Sequence, residues 1–169
     1  MSFSLTANPY SNYMAPAFVG MKEDSMDDNV DTFAAAVAGG QVDIGVAVQR
    51  TGATAMTIKN GASATLGVGV SLHDHVIGYL GGYPDKYPVS VLTRGRAWVR
   101  VSDGTGVVDG AIAKADAVTG QFNTTGVVVT NAMFRSLAYS LLNADGVTTT
   151  LAAVVELHSP FVDNIGASL

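Results

Sequence analysis

The 169-residue chain contains no cysteine, so neither disulfides nor thiolate metal sites can hold it together. Charge is also scarce: Asp, Glu, Lys and Arg make up 14% of the residues, against roughly 25% in an ordinary soluble domain. A surface so short of ions is expected to be covered in part by something other than water. The amino terminus lacks the basic region and apolar core of a signal peptide. No apolar run reaches the roughly 18 to 20 residues that span a bilayer. The expectation is a soluble protein made in the cytoplasm, with no membrane partner. A net charge of −5 argues against nucleic acid as the main ligand, because that binding rests on clustered Lys and Arg. Nucleophile-elbow and P-loop signatures are missing, as is a GxGxxG opening a helix. An enzyme is therefore not expected, and no cofactor is implied.

Small residues and Val dominate what is there, within a hydrophobic fraction of 48%. That composition suits close-packed strands and tight turns better than helices. The clearest strand signal is YPDKYPVSVLTRGRAWVRV, residues 83–101. In an extended chain alternate side chains leave on opposite faces. Val89, Val91, Thr93, Ala97, Val99 and Val101 then form a small apolar face, and Arg94, Arg96, Trp98 and Arg100 share the other. Arg and Trp together are enriched at the energetic centres of interfaces, which makes those four residues candidate contact groups. Gly95 lies in the middle of the strand, where a glycine often marks a bulge that moves residues between faces.

The charges cluster. Glu23, Asp24, Asp27, Asp28 and Asp31 form an acidic segment, while Lys86, Arg94, Arg96 and Arg100 surround the central strand. The two groups are expected either to meet, within one chain or between subunits, or to stay solvated apart.

Residues 1–40 read as an arm, with Tyr10, Tyr13, Met14 and Phe18 scattered along a stretch of little periodicity and able to gain order on another surface. A short helix is expected over 31–39, with Asp31 as N-cap and Gly39 as terminator. From Val42 the pattern turns to β, with VDIGVAV as one strand, a second over 55–59, a third over 65–72, and Asn60-Gly61 as a hairpin turn between them. Turn signals then recur at Asp103-Gly104, Asp109-Gly110 and Thr119-Gly120. Residues 131–143 fit an amphipathic helix or a strand, and the Asp145-Gly146 turn that follows favours strands joined by a hairpin. The fold class is all-β: a small β-barrel or β-tulip sandwich over 41–158, an extended N-terminal arm, at most one short helix, and a C-terminal extension over 159–169.

His73-Asp74-His75 is the one cluster with metal-ligand spacing, with His158 the only other histidine. It motivates an alternative of a cupin-like metal-dependent barrel. A second alternative is a tail-associated carbohydrate-binding module with Tyr79, Tyr83, Tyr87 and Trp98 as stacking platforms. The competing reading of the cluster is a solvated or hydrogen-bonded loop, and no residue is assigned as a metal ligand.

The order AFVGM, VDIGVAV, SATLGVGVSL, VSVLTRGRAWVRV and DGAIAKADAVTGQFN resembles the structural cement, or head decoration, proteins of tailed bacteriophages, over about 17–157. That resemblance implies a β-tulip domain with an arm, located in the virion on the outer surface of an icosahedral head. It implies the major capsid protein as partner, a homo-oligomer (trimer first, dimer next), and capsid stabilisation without an active site.

Overall fold

The computed structural model describes residues 17–23, 28–74, 81–126, 128–142 and 149–158. Its described residues form strands, turns and bends and no helix. In chain order the strands are β1 (Asn29–Ala35), β2 (Gln41–Asp43), β3 (Ala47–Arg50), β4 (Thr57–Asn60), β5 (Gly67–Ser71) and β6 (Gly82–Pro84). They continue as β7 (Pro88–Arg100), β8 (Ile112–Ala115), β9 (Phe122–Asn123), β10 (Val128–Phe134), β11 (Tyr139–Leu142) and β12 (Thr149–Leu157).

Strands β1, β4, β3, β5 and β7 pair in that order, and β7 pairs back onto β1 to close a barrel. Each strand contributes to one interior cluster: Phe33 and Ala35 from β1, Ile58 from β4, Val48 from β3, Val68 from β5, and Val89 and Val91 from β7. Val42 and Tyr83, from the separate β2–β6 ribbon, are buried in the same cluster. The Tyr83 hydroxyl donates to Leu72 O at 2.6 Å, and burial first, with the charge of Asp74 second, pushes its pKa up to about 12.

Beyond Gly95 the same β7 leaves the barrel and enters a second sheet, pairing with β12, which carries β10, β8 and β9 on one side and β11 as a further partner. A second core lies between this sheet and the barrel wall: Ala47, Val70 and Leu92 from the barrel meet Ala97, Val99, Ala113, Phe122, Phe134, Ala153 and Val155. Leu92 and Ala97 are five positions apart, which in a regular strand would put them on opposite faces, yet they belong to one cluster. The side-chain alternation therefore changes phase at Gly95, whose φ is +120°.

The segment expected as a helix over 31–39 is instead β1. An isolated helix of that length is marginal at best, whereas here both strand edges are used: Val30 to Ala34 pair with β7, and Ala34 and Ala35 with β4. Gly39, at φ +73°, ends a turn rather than a helix. VDIGVAV is likewise two strands, broken at Gly45 (φ +70°), where an added Cβ would overlap Val19. Asn60-Gly61 turns the chain, with Gly61 at φ +117°, but does not join a hairpin, because β3 lies between β4 and β5. Within 131–142 the chain forms strands, the end of β10 and then β11, while residue 143 lies outside the described residues; β11 pairs with β12 from Tyr139↔Ala152 to Leu142↔Thr149. Because Gly95 holds a positive φ and its added Cβ would sit 3.0 Å from the Asp28 Cβ, Gly95→Ala is expected to lower unfolding free energy by about 1 to 3 kcal/mol, read by chemical denaturation.

Candidate interaction surface

The strand β7 does not offer Arg94, Arg96, Trp98 and Arg100 as one face. Arg94 lies on the barrel side of Gly95 and is exposed. It lines an open cleft of about 630 Å³ together with Asp31, Phe33, Arg50, Leu66 and His158. Arg96 lies beyond the phase change and is tied inward: its Nε donates to Glu156 Oε2 at 3.0 Å, and a terminal nitrogen lies 3.7 Å from Glu23. Thus the acidic segment and the basic strand do meet within the chain. Arg100 donates from Nε to Ile44 O at 3.0 Å, which anchors the loop between β2 and β3.

Trp98 is only 8% exposed. Its indole packs with Leu141, Ala152 and Val154 on the outer side of the second sheet, beneath Ala17, Val19 and Met21. Tyr139 approaches it with ring centroids 6.1 Å apart. The covering segment runs beside β7 as a strap: Gly20 N donates to Trp98 O (2.7 Å), Trp98 N to Met21 O (2.9 Å) and Glu23 N to Arg96 O (3.0 Å). Gly20 is the point of closest approach, with φ +80° and an added Cβ placed 2.7 Å from His73 N. Across the strap Phe18 stays 40% exposed, its ring edge-on to His73 at 4.5 Å. Tyr10, Tyr13 and Met14 lie outside the described residues.

Glu156 is the hub of an ion cluster that periodicity alone did not mark. Arg135 Nε bonds its Oε2 at 2.6 Å, Arg96 shares the same oxygen, and His158 Nδ1 lies 3.6 Å from Oε1. The Arg135 hydrogen bond is the largest influence and, with the charges of Arg96 and Arg135, outweighs desolvation, the second largest, to hold the Glu156 carboxyl below the usual carboxylate range. The signal that could have found it was the register: Glu156 stands opposite Arg96 across the β12–β7 pair and opposite Met133 on β10.

The other candidates separate. His75 and Tyr79 lie outside the described residues, and no group of three His, Cys, Asp or Glu among the described residues is placed to hold a metal. Tyr83 is fully buried and Trp98 nearly so, while Tyr87 is exposed, so these rings do not line up as a stacking platform. Pattern reading also missed a scatter of exposed apolar side chains, Ile112 at 57%, Val118 at 77% and Leu137 at 55%. Ile112 and Leu137 sit in segments whose apolar spacing reads as core.

A family model described as Structural cement protein (E217 gp24/Pam3 gp6) matches residues 5–155. No curated protein matches the chain. Among solved structures, a chain of the capsid of Myoviridae phage XM1 superposes with a TM-score of 0.64 at 14% identity, covering 91% of this chain and 98% of that one. At that identity the likeness establishes the shared fold.

Two outcomes are expected from this geometry. Trp98→Ala should cost about 3 to 5 kcal/mol of stability and raise the rate at which protease cuts within the 17–23 strap, followed by mass spectrometry. A carboxyl whose folded-state pKa lies below its unfolded value binds fewer protons when folded, so its contribution is present above about pH 4 and is lost as the pH falls through the folded value. Denaturation midpoints of the parent chain should therefore drop more steeply below about pH 4 than those of Glu156→Gln.

Proposed function

This chain belongs to the structural cement protein family and is a phage virion protein that decorates and stabilises the capsid; we propose that it does so from the outer surface, as a homo-oligomer bridging neighbouring capsomers. The observation that carries the reading is the family match over residues 5–155. Three features of the chain support it. Charge is sparse, at 14% of residues. Apolar side chains such as Ile112, Val118 and Leu137 stand exposed. A strap is clamped to β7, and the sequence before it carries Tyr10, Tyr13 and Met14. The trimer is the first expectation for the oligomer and the dimer the second, with the major capsid protein as partner after synthesis in the host cytoplasm.

In this reading Tyr10, Tyr13, Met14 and Phe18 of the arm, with Arg94 and the exposed edge of Arg96, supply contact groups. Trp98 and Arg100 hold the strap and the β2–β3 loop in place behind them. The mechanism is mass action. A ligand that binds only the assembled shell stabilises that state in proportion to the logarithm of its concentration over Kd. An oligomer touching several capsomers at once gains further through effective concentration.

The decisive measurement mixes the purified protein with undecorated heads. Saturable, symmetric added density in electron micrographs and heads that survive higher temperature are expected. Heads that stay bare at saturating protein would overturn the reading, and sedimentation of the free protein decides between trimer and dimer.

A further inference from the structure

The cleft beside Phe33 contains an arrangement that neither the barrel nor the ion cluster uses. Arg50, at the end of β3, holds its guanidinium carbon 5.6 Å from the centroid of the Phe33 ring and donates from a terminal nitrogen to Ala53 O at 3.4 Å. Arg94, from β7, lines the same cleft. Lys22, Arg96 and Arg135 are each paired with a carboxylate of this chain, whereas among the described residues neither Arg50 nor Arg94 is. Among the described residues Asp31 is the one carboxylate on the lining, so that within them the two guanidinium groups leave an excess of positive charge there. His158, beside Glu156, adds to that excess only when protonated. The remaining wall combines apolar Phe33, Leu66 and Val68 with polar Asn29, Thr65 and Thr93.

We propose that this cleft is a seat for a carboxylate-bearing segment of the shell protein, with Arg50 and Arg94 as the groups that bind the acid. The proposal rests on the cement reading and deepens it. A planar guanidinium matches a carboxylate in two parallel hydrogen bonds, and the cation–π contact with Phe33 pre-orients Arg50 for that geometry. The apolar part of the wall accepts the aliphatic part of an Asp or Glu and its neighbour. A polyanion such as nucleic acid is disfavoured, because the chain as a whole carries −5. An acidic loop brings only local charge into a local excess of the opposite sign, and on the cement reading the shell is the partner from which such a loop would come.

The test measures binding to undecorated heads by co-sedimentation at two salt concentrations. Arg94→Glu and Arg50→Glu are each expected to raise the apparent Kd about tenfold, and the double variant to abolish saturable decoration. Arg94 is exposed and makes no ion pair among the described residues, so its variant is expected to keep the fold even if Arg50→Glu disturbs Phe33. Lys59→Glu makes the same charge change at an exposed position of β4 and is expected to leave Kd within about twofold. Wild-type binding with unchanged affinity in Arg94→Glu would overturn the seat and leave the cement reading intact. An equal loss in Lys59→Glu would overturn it in favour of a general field. A change in oligomer size would assign the cleft to a second copy, and a lower melting temperature with head binding intact would assign it to this chain's own residues; either result overturns the proposal. Wild-type protein that fails to bind heads overturns the cement reading itself.

Discussion

Everything in this fold depends on one strand serving two sheets. Up to Arg94, β7 closes the barrel by pairing with β1 and β5, and from Gly95 onward it pairs with β12. All three apolar clusters include its side chains: Val89 and Val91 inside the barrel, Leu92, Ala97 and Val99 between barrel and sheet, and Trp98 beneath the strap. A strand with strict alternation has two faces and cannot serve three cores. The phase change at Gly95 resolves that conflict, and the positive φ there is one that only glycine adopts without strain.

The distribution of charge follows from the same economy. Of nine basic residues, Arg96 and Arg135 converge on Glu156, Lys22 pairs with Asp28, and Arg100 is spent on the Ile44 carbonyl. Surface ion pairs of this kind contribute little individually. Their arrangement matters more, because Glu156 joins β12 to β7 and to Arg135 just past the end of β10, fixing relative positions where the two sheets diverge. What remains for partners is Arg50, Arg94 and three lysines, Lys59, Lys86 and Lys114, on a surface that also exposes apolar side chains.

The sequence made the all-β class, the long β7 and the warning at Gly95 legible, since each rests on local periodicity or backbone freedom. The face of Arg94, Arg96, Trp98 and Arg100 was read as continuous because alternation was extended across the glycine. One changed torsion separated Arg94 from the rest. The helix over 31–39 failed for a different reason: Asp31 and Gly39 suit the two ends of a helix, and pairing of the segment with both β4 and β7 overrode those local signals. Asn60-Gly61 signalled a turn correctly, but the partner of the following strand is a long-range matter. The cleft lay beyond reach for the same reason, as Arg50 and Arg94 are brought together only by barrel closure.

The strap over Trp98 has a mechanical consequence. Its hydrogen bonds to β7 lie side by side along the strand, from Gly20 to Glu23, and Gly20 O also accepts from His73 N. A pull along the strap from its amino-terminal side therefore loads those bonds together, in shear, instead of breaking them one at a time as peeling would. The close approach of Gly20 and Gly45 keeps the strap pressed flat, so that it cannot tilt into the weaker peeling geometry. Tension applied at residue 17 would pass directly into the strand that the barrel and the second sheet share.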